Sequence, residues 1–173
     1  AADITRTFPA DGRFTPEQRA LHDVVCAAQR AALEEARPGV PFENVHRASV
    51  RVLGEGLLRL GLLKGDLRKV LAAESYRTFS PHKTGHWLGL DVHDVGEYRV
   101  DGESRLIEPG MVFTIEPGLY VPPDASGVDA RWRGLGVRIE DDVAITRDGH
   151  EVLTEGLARS ADEIEDFLAA QRA

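Results

Sequence analysis

The run Met111-Val-Phe-Thr-Ile-Glu116-Pro-Gly118, read together with Gly136-Val-Arg-Ile-Glu140-Asp-Asp142, decides the fold of this chain. Both stretches read as strands by their flanks and their period-two parity. In the first, Glu116 shares parity with Val112 and Thr114 and follows the apolar Phe113 and Ile115. A carboxylate buried on so apolar a strand must be paired or bound to a cation. Pro117-Gly118 stops the strand directly afterwards, which predicts Glu116 at a strand terminus facing a cleft. In the second stretch Val137 and Ile139 point one way, Arg138 and Glu140 the other. A cross-strand ion pair on an exposed face would also satisfy that pattern. Against it, Glu140-Asp141-Asp142 sets three acids between apolar strands, and like charges so close are costly unless a cation offsets them.

Outward from this pair, Asp142–Thr146 continues as a strand, and Arg147-Asp148-Gly149 is a hairpin-type turn into Glu151–Leu153. Ser160-Ala-Asp-Glu163 is a capping box for a last helix ending near Gln171, with the acids of Asp162–Asp166 suited to its first turns. Upstream, Thr15-Pro-Glu-Gln18 starts a helix whose stripe is Leu21, Val24, Val25, Ala28 and Ala32. A second helix is predicted from Phe42 to Leu60, stopped by Gly61, and a short one over Leu67–Glu74. Residues 3–8 alternate as a strand with Asp3, Thr5 and Thr7 on its polar face. Strand, helices, several strands and a final helix predict an α+β fold with an antiparallel sheet rather than βαβ units.

The 173 residues fit one domain, and the net charge of −8 with scattered basic residues argues against a nucleic-acid partner. No apolar run approaches the ~20 residues that span a bilayer, so no membrane partner is predicted. No secretory signal is visible. The single cysteine, Cys26, excludes an internal disulfide and any multi-cysteine metal site, and suits a reducing, cytoplasmic setting. It reads as a small packed residue. A metal would have to be held by oxygen and imidazole nitrogen.

The run His82-Lys-Thr-Gly-His86-Trp-Leu-Gly-Leu-Asp-Val-His93-Asp94 supplies the imidazoles. His82 and His86 are four apart, but a zincin helix needs Glu where Lys83 stands, and Pro81 and Gly85 oppose a helix. His86 is better placed entering a strand through Trp87-Leu88. For one isolated histidine a bond to a nearby carbonyl would suffice. Three within twelve residues, beside two Glu-Pro-Gly runs, favour a site. Carboxylates with one imidazole favour Mn²⁺, Co²⁺ or Zn²⁺, and several carboxylates per histidine suggest two ions sharing bridging oxygens. Other residues earn plainer expectations: Glu108 in a turn, His22 and His46 at solvent or a helix surface, Trp87 and Trp132 in a core or interface.

These motifs, with Asp3-Ile-Thr-Arg-Thr-Phe-Pro9 and Glu108-Pro-Gly-Met-Val-Phe-Thr-Ile-Glu116-Pro-Gly-Leu-Tyr120, resemble the Xaa-Pro aminopeptidases (aminopeptidase P) among the pita-bread metallopeptidases, over nearly the whole chain. The resemblance implies the creatinase/aminopeptidase-like fold, a curved antiparallel sheet flanked by helices, and hydrolysis of an N-terminal Xaa-Pro bond by a dimetal-activated water. It implies two divalent ions, manganese first, with cobalt or zinc possible. By motif match, Asp3 and Glu140 bridge the ions while His86 and Glu116 bind one of them. Glu116 helps to deprotonate the water, and His93 steadies the scissile carbonyl. His82 lines the pocket for the proline ring, Arg138 supports a ligand carboxylate, and Tyr120 is a cleft residue.

Two departures stand out. Lys83 and Gly85 replace residues common in the family. The family's first ligand aspartate belongs on the strand partnering Asp3, and only two residues precede Asp3. Residues 1–173 are therefore expected to be the C-terminal part of one catalytic domain, without its first helix, first strand and amino-terminal domain. The segment alone is expected to bind one ion more weakly than the other and need not be active by itself. Expected partners are a peptide with proline second, a segment or chain that completes the fold, and a second copy in a homo-oligomer. Prolidase activity on Xaa-Pro dipeptides and a non-catalytic binding module are the alternatives. The first shares these ligands; the second usually loses them.

Overall fold

The computed structural model describes residues 1–171. Helix α1 spans Pro16–Glu35 and α2 spans Phe42–Arg59. α1 opens with the capping box expected: Thr15 accepts from the Gln18 amide while the Gln18 side chain accepts from the Thr15 amide. The two helices pack closely at Gly56, where a Cβ would lie 2.3 Å from a Val24 methyl carbon. A short α3, Leu67–Ala72, is capped by Asp66. It ends before the expected Glu74, whose positive φ of 49° turns the chain into a 3₁₀ turn at Ser75–Thr78. The final helix α4 spans Ala161–Ala170, with the predicted Ser160–Glu163 capping box.

Seven short strands follow α3: β1 (Arg99–Val100), β2 (Glu103–Ser104), β3 (Val112–Ile115), β4 (Gly118–Tyr120), β5 (Gly136–Arg138), β6 (Asp141–Ile145) and β7 (His150–Val152). β1 and β2 form a small hairpin, β3–β6–β7 a three-stranded sheet, and β4–β5 a two-stranded one, all antiparallel. β3 pairs β6 with Ile115 opposite Asp141, and β4 pairs β5 with Gly118 opposite Arg138. The register is continuous across the gap, so 112–120 and 136–144 are one long ribbon interrupted at Glu116-Pro117 and Ile139-Glu140. Pro117 has no N–H to give to the ladder, which explains the interruption.

Alternation along this ribbon separates two environments. Phe113, Ile115, Leu119, Val137, Ile139, Val143 and Ile145 are buried against the helix layer, packing in two clusters with Leu21, Val24, Ala32, Leu53 and Leu57. Thr114, Glu116, Tyr120, Arg138, Glu140 and Asp142 have the opposite parity. The helices therefore cover one face and leave the other to carry polar chemistry. Trp87 and Trp132 are core residues and Cys26 is buried, as expected.

The expected strand over residues 3–8 is reduced to one bridge, Thr5 with Glu140. His22 and His46 do not face solvent. His22 is fully buried, edge-on to Phe14, and the ring of His46 is held by Thr84. No helix among the described residues is long and apolar enough to cross a membrane.

Candidate active site

Three chain segments meet at the break in the ribbon. Thr84–Leu88 runs beside β3 through amide-to-carbonyl bonds from Leu88 to Val112, Thr114 to His86 and Glu116 to Thr84. The approach is so close that a Cβ on Gly85 would sit 1.9 Å from the Thr114 carbonyl oxygen. Only glycine permits it, so the Gly85 departure noted above is a packing requirement in this chain. The segment is extended, which disposes of a helical His82–His86 pair and delivers His86 over the ribbon. From the other side, residues 3–7 dock on β5 and β6. The Thr5 hydroxyl donates to Glu140 Oε2 at 2.6 Å, Thr7 exchanges bonds with the Arg138 backbone, and the Asp3 amide points at the Asp142 carboxylate.

His86, Glu116 and Glu140 thus each bring one donor atom within 4.8 Å of the others, as do Asp3, His86 and His93. His86 Nε2 lies 3.5 Å from Asp3 Oδ2 and 3.7 Å from Glu116 Oε1. Its Nδ1 faces the Trp87 carbonyl at 3.1 Å and must donate to it, which leaves Nε2 with a lone pair. That buried Nε2 has no hydrogen-bond partner among the described residues. The His93 ring stands edge-on to His86 at 4.2 Å, at the exposed rim.

The electrostatics agree with a cation there. Glu140 is 2% exposed, and its carboxyl is pushed up to about 7, mainly by burial, with further push from Glu116 and Asp3 against the Thr5 bond. Burial also raises Asp142. An orphaned imidazole lone pair facing crowded, under-compensated carboxylates is a donor set that a divalent ion fits. Of the three neighbouring acids, Asp141 differs from Glu140 and Asp142. Asp141 has helix-side parity and is held below the usual carboxylate range despite its burial. Bonds from Thr154 and Arg6, with the nearby charge of Arg159, hold it down; Gln29 also donates to it. Its charge is offset by guanidinium, not by a cation in the cleft.

Around the donors, Arg138 Nε donates to the Tyr120 hydroxyl at 2.8 Å, and Tyr120 is 2.8 Å from His82 Nε2. His82 Nδ1 donates to the Lys83 carbonyl at 2.7 Å, so the Tyr120 hydroxyl donates to Nε2 and the chain of bonds has one direction. Arg138 Nη1 also lies 3.7 Å from Glu116 Oε2. Arg138 does share a cleft-side face with Glu140, but the carboxylate it reaches is Glu116. Beside these groups opens a cavity of about 500 Å³ lined by His82, His86, His93 and Glu116, with Phe42 and Tyr98 among its walls. Glu108 is exposed, a turn residue.

Residues 1–147 match the model of metallopeptidase family M24. The chain belongs to that family. This M24 chain is 48% identical over 172 residues to the Xaa-Pro aminopeptidase of Escherichia coli K12, covering 99% of itself and 38% of the relative. It is 41% identical over 168 residues to Xaa-Pro aminopeptidase 3 of Mus musculus. Among solved structures it superposes on the Pseudomonas aeruginosa aminopeptidase PepP with a TM-score of 0.98 at 55% identity, over 99% of this chain and 39% of that one. On zinc-substituted E. coli aminopeptidase P in complex with product the score is 0.95 at 48% identity, over 100% of this chain and 39% of that one. The M24 pita-bread fold expected from the sequence is thus the observed one, and a divalent metal is the family's cofactor. The chain spans 32% of the mouse relative and 38–39% of the others.

Two residues that reach the site were missed. Thr5 was placed on the polar face with Asp3, and that parity was the available signal for its bond to Glu140. His46 lies four residues after Phe42 on α2, and both line the cavity.

Proposed function

We propose that this chain forms the C-terminal part of a catalytic domain that hydrolyses the N-terminal Xaa-Pro bond of peptides, with two divalent ions held in part by Asp3, His86, Glu116 and Glu140. The observation that carries the reading is the buried, unpartnered Nε2 of His86, shared between two groups of donors that meet at the break in the ribbon. Manganese is the proposed native metal; cobalt or zinc suits the same oxygen and imidazole donors. Divalent ions bound there would lower the pKa of a water and polarise a carbonyl.

The chain's own groups divide the remaining work. Glu116 accepts the proton of the attacking water, and Arg138 limits how far its carboxylate swings. His93, at the rim, donates to the scissile carbonyl. His82, oriented by Tyr120, borders the space for the proline ring. Further ligands would come from a preceding segment or another chain, a proposal supported by the relatives' greater length. A homo-oligomer and a cytoplasmic setting, in line with one buried thiol, complete the reading.

Activity of the full-length protein with Mn²⁺, on a tripeptide with proline second and on the matching Xaa-Pro dipeptide, tests it. Release of the first residue from the tripeptide, lost on chelation, is the expected result. Cleavage of the dipeptide alone would make the protein a prolidase. No cleavage of either by metal-loaded protein would reject the enzyme reading.

A further inference from the structure

We infer that Arg6, locked by the buried carboxylate of Asp141, is a positioning residue that sets the spacing of Asp3, Thr5 and Glu140 in the metal site. The inference rests on the metallopeptidase reading above. Residues 3–7 carry one proposed ligand and the hydroxyl that orients another, yet they join the sheet by a single bridge. Glu140 N donates to the Thr5 carbonyl at 3.0 Å and Thr5 N to the Glu140 carbonyl at 3.4 Å. Two backbone bonds, one of them long, do not by themselves fix a strand, and the bonds of the Thr7 hydroxyl to the Arg138 backbone lie beyond the bridge, on the side away from Asp3.

Arg6 supplies what the ladder lacks. Its Nη1 donates to the Thr5 carbonyl at 3.0 Å and to the Glu140 carbonyl at 2.8 Å, straddling the bridge between the two segments. Its Nη2 meets Asp141 Oδ1 at 2.6 Å, and its Nε donates to the Ala158 carbonyl at 2.9 Å. Arg6 alternates with Thr5 and so lies away from the cleft. It is among neither group of proposed donors. The rigid planar fork is what lets one side chain hold three carbonyls and a carboxylate at once.

Asp141 holds the fork. Its side chain is 0% exposed and is also met by Gln29 Nε2 at 2.7 Å, by Thr154 and by Arg159 Nε at 3.0 Å. A buried ion pair is a poor source of stability, because desolvating both charges cancels much of their attraction. Placed next in sequence to Glu140 and gripping the strand of Asp3, it is well suited to fix geometry. Thr5 Oγ1 then reaches Glu140 Oε2 from a backbone that cannot drift.

The test measures Mn²⁺ affinity of the full-length protein by titration calorimetry, with circular dichroism to verify folding and with kcat and KM at rising Mn²⁺. Arg6→Lys keeps the charge and loses the fork; Asp141→Asn keeps the shape and loses the charge. Each should weaken Mn²⁺ binding about 10-fold or more, the range seen when groups behind metal ligands are removed, and excess Mn²⁺ should restore part of kcat. Arg159→Gln removes a partner of Asp141 that touches neither Thr5 nor Glu140. It should lower Tm while leaving Mn²⁺ affinity within about two-fold. Unchanged affinity in folded Arg6→Lys overturns the inference. So does an equal loss in Arg159→Gln, or failure of both Arg6→Lys and Asp141→Asn to fold, since the pair would then be structural only. An unaltered protein that binds no Mn²⁺ overturns the metallopeptidase reading, and this inference with it.

Discussion

Glu116 and Glu140 stand opposite each other in one continuous antiparallel register, at the point where both strands leave the ladder. Directly opposed like charges destabilise a sheet. Here the two acids share the cleft face, Glu140 is almost fully buried, and its carboxyl is pushed up to about 7. A partner of opposite charge would relieve both, and the guanidinium of Arg138 lies 3.7 Å from Glu116.

Glu116→Gln in the full-length protein should leave the fold intact and reduce kcat by about 10²- to 10⁴-fold, the usual contribution of a positioned proton acceptor. Circular dichroism and steady-state rates on a tripeptide with proline second check this. Turnover near that of the unaltered protein would remove Glu116 from its assigned role.

Glu140 should couple metal binding to pH. Its metal-free carboxyl is raised from 4.5 to about 7, so without metal it contributes stability that is full below pH 4.5 and lost as pH rises through 7. A divalent ion requires the ionised form and would release the proton. The rise in Tm on adding Mn²⁺ should therefore grow between pH 5.5 and 8, roughly the window around that value. Proton release on binding, measured by calorimetry in buffers of differing ionisation enthalpy, should peak below pH 7. Glu140→Gln should reduce both trends.

His46 should make acid destabilising. Its imidazole is lowered from 6.5 to about 4, first by burial and then by Lys83 and Arg77. The unfolded chain therefore takes up a proton that the folded one refuses. This contribution is fully present above pH 6.5 and is lost as pH falls towards 4. Partial exposure reduces it to about 1–2 kcal/mol. His22, also lowered by burial, acts in the same direction. Urea unfolding at pH 7.5 and pH 5 should show a smaller acid loss in His46→Gln than in the unaltered protein; equal losses would exclude the effect.

Gly85→Ala would place a Cβ against the Thr114 carbonyl oxygen, a backbone atom that cannot swing away. Separation of the Thr84–Leu88 segment from β3 should cost about 1–3 kcal/mol. It should also displace His86, so weaker Mn²⁺ binding should accompany the lower urea midpoint. A loss of stability with unchanged Mn²⁺ affinity would show that His86 does not depend on this packing.

Much of this molecule was legible in the residues themselves. Capping signals placed α1 and α4, and period-two parity put Glu116, Arg138 and Glu140 on one face, because these depend on neighbours a few positions apart. Asp141 was beyond such reading. Its parity pointed it at the helix layer, but only the fold shows Arg6, Gln29 and Arg159 arriving there from distant parts of the chain. For the same reason His46 reads as a surface residue in the sequence, and only the packing of α2 brings its ring to the Thr84 hydroxyl. The strand expected at residues 3–8 became a single bridge reinforced by side chains, since pairing depends on what lies alongside. Residue types settle which donors exist, and period-two parity settles the face on which Glu116 and Glu140 lie. Their approach to one another was decided by tertiary packing, because distances between residues 3, 86, 116 and 140 are set by contacts across the sheet and not by local backbone preference.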